Sequence, residues 1–262
     1  MRALSRVAAW GYLGAVFGFI LLPVVSLIVF SFQATSLPVP PFTGPSLRWS
    51  EALFADSRMI DALGNSVAVG LVSATLSTLL GFLAAYGLGR FKPAGAAWLR
   101  AVIMTPLGVS YLVIGFGLLI TANQLALGRS LTLVTLGHLI INLPLAFAII
   151  LSQMRDEHHT LEKAARDLGA GEFRVIVRVV VPVLLPGILA AFLLAFTLSW
   201  DEFIIAFLLA SFDVTLPIEI WSSLRTGLDA KTNAAGTLVF AISLIALTLA
   251  YATNRALQKG RQ

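Results

Sequence analysis

Cysteine is absent from the 262 residues, which excludes a disulfide framework and any thiolate metal or redox site. Charge is scarce too. Asp, Glu, Lys and Arg make up 12% of the chain against 58% apolar residues, and the mean hydropathy is +0.91. A soluble domain carries roughly 25% charged residues, so the composition implies a polytopic membrane protein. No GxxxxGK[ST] run occurs, so no phosphate-cradling nucleotide site is legible. The net charge of +5 comes from basic residues scattered at the ends of apolar runs, unlike a nucleic-acid-binding patch. The first apolar run, Val7 to Phe32, exceeds the roughly 7–15 residues of a signal-peptide core and reads as an uncleaved span.

Six apolar segments reach the ~20 residues that cross a ~30 Å hydrocarbon core: about 8–31, 65–88, 101–121, 131–152, 186–209 and 235–256. The expected fold is all-α, one transmembrane domain over residues 1–262 with six spanning helices and a polar loop at 153–185. With six spans, thirteen of the 18 Lys and Arg residues share a side with both termini, and five lie opposite. The excess places both termini and the 153–185 loop in the cytoplasm. The opposite side carries Glu51, Asp56, Asp61, Asp201, Glu202, Asp213, Glu219 and Asp229 with five bases, a formal charge of −3. Such a surface favours a cationic solute or a basic partner, although acids also fill loops that merely avoid Lys and Arg.

Within the spans, Gly70, Ser73, Ser77, Gly81 and Ala84 recur at three- and four-residue steps, a stripe that admits a close helix neighbour. Gly115 and Gly117 form a similar pair in the third span, where Pro106 lies near the cytoplasmic end. His138 and Asn142 sit in apolar surroundings in the fourth span and are expected to hydrogen-bond to a neighbouring helix. The Pro-rich stretch from Ser36 reads as an extended arm, followed by a short amphipathic helix over 50–63.

Asp201 and Glu202 lie 15 and 16 residues beyond Pro186, hence ~22–24 Å up a helix. Ionisable groups at that depth face a bundle interior or a wet cavity. Trp200 beside them offers an aromatic face to a cation. A substrate pathway through Trp200, Asp201 and Glu202 is one reading; residues at the outer mouth, capped by a re-entrant segment, is the other.

The 153–185 loop balances Arg155, Lys163, Arg166, Arg174 and Arg178 against Asp156, Glu157, Glu162, Asp167 and Glu172. Thr160 is placed to cap a helix that Gly169 ends in the left-handed conformation. A second helix is expected over 171–181, broken by Pro182, with Pro186 starting the fifth span. Two such short helices would present a knob to a soluble partner. The cluster Asp156, Glu157, His158 and His159 lacks the i, i+4 spacing of zinc helices, so a solvated loop start is preferred to a metal site.

In this loop the chain resembles the permease subunits of binding-protein-dependent ABC importers. Their signature is Glu-Ala-Ala, three residues, Gly, nine residues, then Ile-x-Leu-Pro. Ala164, Ala165, Gly169 and Pro182 fall in register, with Val179 and Val181 at the Ile and Leu positions. Lys163 occupies the motif's Glu position, and Glu162 stands one residue earlier. The second span and the SWDEFIIAFLLASF stretch are similar to the spermidine/putrescine branch, and the likeness covers most of residues 10–255.

The resemblance implies a type I importer permease in the bacterial inner membrane, pairing with a second permease subunit and moving a polyamine-like cation. Two ATPase subunits would hold the ATP and Mg, with no cofactor in this chain, and a periplasmic solute-binding protein would deliver the solute. Glu162, Lys163, Ala164, Ala165, Gly169 and Pro182 would couple to an ATPase. Lipid is the remaining partner, and no nucleic acid is implied. Other solutes (an opine, an amino-acid-like cation, thiamine, an oxyanion) stay open, as does an ion-coupled secondary carrier, which such a loop fits less well.

Overall fold

The computed structural model describes residues 2–154, 156–227 and 229–259, with the side chains at 2–8, 156–157, 250–251 and 253–259 outside that description. The side chains of six of the basic residues counted for orientation therefore lie outside it: Arg2, Arg6, Arg155, Arg255, Lys259 and Arg261. No strand occurs among the described residues. In chain order the helices are α1 (Arg2–Ser31), α2 (Arg48–Phe54), α3 (Ser57–Tyr86), α4 (Ala96–Met104), α5 (Tyr111–Gln124) and α6 (Leu131–Ser152). They continue with α7 (Asp156–Asp167), α8 (Glu172–Val175), α9 (Val181–Trp200), α10 (Ile204–Leu209), α11 (Leu216–Thr226) and α12 (Ala230–Lys259).

Five stretches are long and apolar enough to cross a membrane: Ala9–Ser31, Ser57–Phe91, Leu131–Ser152, Glu172–Trp200 and Ala230–Leu249. The third expected span is a bent pair, Ala96–Gly108 and Tyr111–Gln124, meeting at 105°. The bend has a local cause. Thr105–Gly108 tightens into a 3₁₀ turn containing Pro106, and Val109 is then extended at φ −111°, ψ 135°.

Two compact units divide the chain: Met1–Ile60 with Glu219–Ile242, and Asp61–Ile218 with Ser243–Gln262. In the first, buried Gln33 organises the Pro-rich arm. Its Nε2 donates to the carbonyls of Val39 and Pro41 at 3.1 Å, and its Oε1 accepts from the Thr43 N–H at 3.0 Å. The helix expected over 50–63 is interrupted at Asp56, whose carboxylate accepts from the Arg58 and Met59 N–H groups at 3.0 and 3.4 Å. This side-chain cap starts a new helix and stops the old one.

Asp56 also takes a 2.7 Å hydrogen bond from Lys231. That bond holds the Asp56 carboxyl below its ordinary value of 3.8. A depressed folded-state pKa stabilises above the unfolded value and loses its contribution as pH falls through the folded one. Asp56→Asn is therefore expected to lower the melting temperature slightly at neutral pH, with the gap to wild type closing below about pH 4. Thermal melts of both proteins from pH 3 to 7 check this.

The second unit packs α6 along α9, with α3 and α10 completing the core. The small-residue stripe performs the expected close packing. A Cβ at Gly70 would meet the Phe196 ring at 3.0 Å, and one at Gly81 would meet the Phe147 backbone nitrogen at 2.9 Å. Ser73 Oγ bonds Ser199 Oγ at 2.9 Å across the same contact. Gly115 and Gly137 perform the same service for α10: side chains there would collide with Leu208 and Ile205.

Candidate functional site

The 153–185 segment differs from its sequence reading at both helix starts. α7 begins at Asp156, so Thr160 lies inside it and does not cap it. Pro182 does not break the following helix. The chain runs helically from Glu172 to Trp200 through a π-turn at Ile176–Val180, and Pro182 falls in the first turn of α9. Proline inside an α-helix clashes with the carbonyl four residues back, here Arg178, and the wider π-turn relieves that clash. Pro186 accordingly lies within α9 and does not start it. Gly169 stands at φ +83°, the left-handed stop anticipated after α7. Its N–H donates to the Arg166 carbonyl at 2.9 Å, and the Ala170 N–H to the Ala165 carbonyl at 3.0 Å.

A charge network fastens α7 to the end of the second span, where Gly87–Phe91 forms another π-turn. Arg90 in that turn meets Glu162 Oε1 at 2.8 Å, with both side chains buried. Glu162 Oε2 lies 3.8 Å from Arg166 and 3.9 Å from His159. Arg166 then grips Glu172 bidentately, at 3.0 Å from Nε and 3.0 Å from Nη2. Tyr86 donates its hydroxyl to Glu172 Oε1 and accepts from Arg166 Nη2 at 3.2 Å. The paired carboxylate and tyrosine favour the charged guanidinium and push the Arg166 pKa up.

Glu162 thus faces inward, while Lys163 and Ala164 face solvent and Ala165 is half-buried. Adjacent residues on a helix point about 100° apart. The one-residue offset of the acid therefore turns it from the exposed face into the body of the protein. Leu168 and Phe173 stand out at 90% and 80% exposure, with Gly169 between them and Pro182 also exposed. These residues lie on one short helix and the foot of a long one, where two short helices were expected. Among the described residues no group of three or more His, Cys, Asp or Glu is placed to hold a metal ion. The Asp156 and Glu157 side chains lie outside the described residues.

At the other end of α9 the three residues Trp200, Asp201 and Glu202 separate in role. Trp200 is buried and its ring stacks on Phe196, with centroids 6.2 Å apart. Glu202 is buried as well, and its carboxylate is engaged. It accepts from the N–H groups of Ile204 at 2.9 Å, Ile205 at 2.9 and 3.1 Å, and Ala206 at 3.1 Å, which start α10. It also lies 3.2 Å from His138 Nε2. His138 Nδ1 contacts Ser199 Oγ at 2.6 Å, and Ser199 joins Ser73. Asn142 Nδ2 donates to the Ala195 carbonyl at 3.2 Å. Both polar residues of the fourth span therefore bond to a neighbouring helix, as expected of them.

Asp201 alone of the three is exposed, at the C-cap of α9, and no side-chain hydrogen bond or ion pair holds its carboxylate among the described residues. The fifth helix ends here, so residues 201–203 form a corner and α10 is a separate six-residue segment. The sequence carried no signal for the His138–Glu202 pairing, since 64 residues separate the two. A further polar cleft of about 380 Å³ lies in the first unit, lined by Asp56, Glu219, Asp229, Lys231 and Thr232 among others.

Five long apolar helices, a bent helix pair and a polar segment between two of the spans define a multi-pass membrane protein. Residues 77–259 match the binding-protein-dependent transport system inner membrane components, and the chain belongs to that family. It is a permease subunit of an ABC importer, has no enzymatic activity of its own, and relies on a separate ATPase subunit. It is 32% identical over 249 residues to the putrescine transport system permease protein PotI of Escherichia coli (strain K12), covering 92% of this chain and 88% of that one. It is 25% identical over 259 residues to the spermidine/putrescine transport system permease protein PotC of the same strain, covering 98% and 97%. A bacterial alginate ABC transporter, solved with an alginate pentasaccharide-bound periplasmic protein, shares the fold at TM-score 0.75 and 16% identity over 98% of this chain and 96% of that one.

Proposed function

We propose that this permease passes a small polyamine-like cation, and that Asp201 is the residue on this chain that meets it. The observation that carries the proposal is the exposed carboxylate at the C-terminal end of α9, which has no hydrogen-bond or ion-pair partner among the described residues. The unsatisfied carbonyls of a helix C-terminus add negative potential at that spot. An ammonium group arriving there finds one fixed charge and a helix end, a weak and transient site suited to passage. The likeness to two polyamine permeases supports the same chemistry. Trp200 and Glu202 serve by holding the corner in shape.

In this reading the whole chain acts as one permease domain with both termini and α7 in the cytoplasm. It pairs with a second permease, rests on two ATPases that bind ATP and Mg, and receives solute from a periplasmic binding protein. The segment from Lys163 to Gly169, with Leu168 and Phe173 exposed, sits in an ATPase groove. Uptake of labelled putrescine and spermidine by the assembled transporter tests the substrate class, with an opine, an amino-acid-like cation, thiamine and an oxyanion as competitors. Asp201→Asn is expected to raise the KM for a polyamine roughly tenfold, about 1.4 kcal/mol, with co-purification of the ATPase unchanged. Transport kinetics equal to wild type would remove Asp201 from the pathway. Efficient competition by an oxyanion would remove the polyamine reading itself.

A further inference from the structure

A cleft of about 320 Å³ opens beside the foot of α7, between the second span's π-turn, α4 and the end of α6. Its polar wall is Arg90, Lys92, Arg100 and His159, and its apolar wall is Leu151 and Met154. Glu162 neutralises Arg90 and lies 3.9 Å from His159, so the excess positive charge belongs to Lys92 and Arg100. Lys92 is exposed, on a backbone held at φ +43° directly after the π-turn. Arg100 Nη2 donates to the Leu88 carbonyl at 3.2 Å, and its Nε finds no hydrogen-bond partner among the described residues. Among the described residues no carboxylate lines the cleft.

We infer that this cleft binds the phosphate group of an anionic phospholipid. Two cationic side chains at the end of a membrane-spanning helix form the kind of basic pocket that takes an acidic headgroup. The cleft's second wall is apolar, so an acyl chain can leave along Leu151 and Met154. Phe91 and Trp98 stand exposed nearby in sequence at 63% and 68%, as aromatic residues do at the headgroup level. A free phosphate ion would use the cationic wall and gain nothing from the apolar one. The site also touches the coupling network, because Arg90 and His159 both face Glu162. A bound headgroup therefore adds a negative charge beside the buried pair that fastens α7, which links lipid composition to the seating of that helix.

The test uses the full-length chain, purified with the subunits that accompany it, in nanodiscs of phosphatidylcholine with or without phosphatidylglycerol. Native mass spectrometry after delipidation counts the retained phosphatidylglycerol. Wild type is expected to keep one molecule per copy of this chain and no phosphatidylcholine. Lys92→Gln, a change at an exposed position, is expected to lower retention about tenfold, and Lys92→Arg to restore it. Arg100→Lys is expected to weaken retention less than Arg100→Gln. Equal retention of both lipids by wild type, or full retention by Lys92→Gln with an unchanged melting temperature, would overturn the inference. Displacement of the lipid by millimolar inorganic phosphate would do so as well, since it assigns the cleft to a soluble anion.

Discussion

Replacing Arg90 or Glu162 by alanine is expected to destabilise the protein by about 3–5 kcal/mol and to abolish transport, while removing both is milder than either. The argument rests on burial. The two side chains are 7% and 1% exposed and meet at 2.8 Å. Taking away Arg90 leaves the Glu162 carboxylate enclosed, with Arg166 3.8 Å and the His159 imidazole 3.9 Å away. At that separation neither makes a hydrogen bond, so the desolvation of the carboxylate is poorly offset. Taking away both partners removes the desolvation together with the attraction. A double-mutant cycle on thermal stability isolates the pair, and a coupling energy below about 1 kcal/mol would place it among surface ion pairs. The transport loss has a separate readout. If α7 is seated through Arg90, the single variants should raise the ATP hydrolysed per solute moved even where enough protein folds to assemble.

Glu202→Ala carries the second large effect, a fall in melting temperature of roughly 10 °C, with most of it recovered in Glu202→Gln. The carboxylate satisfies three consecutive N–H groups at the start of α10 and faces His138 at 3.2 Å. Each buried donor left without an acceptor costs about 1–3 kcal/mol, so three amount to about 3 kcal/mol or more. Glutamine keeps one carbonyl oxygen for those donors and turns an amide toward His138. The imidazole can accept from that amide by changing tautomer, then donate through Nδ1 to Ser199 Oγ, 2.6 Å away. If Glu202→Gln falls as far as alanine, the charge on the carboxylate holds the corner and the hydrogen-bond pattern does not. Melts of the three proteins followed by tryptophan fluorescence separate the cases, because Trp200 is buried two residues away.

The features set by local chemistry were legible in the sequence. Apolar run length announced the spans, and the Ala164 to Pro182 spacing announced the polar segment and its Gly169 stop, because each depends on neighbours in the chain. The bend in the third span was half announced by Pro106, but the extended Val109 that completes it carries no residue signature. What could not be read depends on residues far apart. Nothing near Glu202 specifies that His138 will face it, and nothing near Glu162 specifies an arginine 72 residues earlier. Trp200, Asp201 and Glu202 look alike as a polar-aromatic cluster, and only packing shows that one is exposed while two are consumed. Pro182 misled for a related reason: its usual effect on an α-helix was absorbed by a π-turn that no residue type marks.

That π-turn has a consequence for how insertions and deletions act here. A π-turn accommodates one residue more than the α-helical ladder around it. Deleting one residue between Ile176 and Val180 would let the chain close into regular α-helix without shortening the rise by a full step. Everything beyond would then keep its facing, with Leu184, Gly187, Ala191 and Ala195 still turned toward the core. The same deletion one turn further on, inside α9, would rotate those residues by about 100° into the lipid. Spacer length and helix phase are thus separable at this one place, so the chain can lose a residue ahead of the proline without turning the buried face of α9 away from its neighbours.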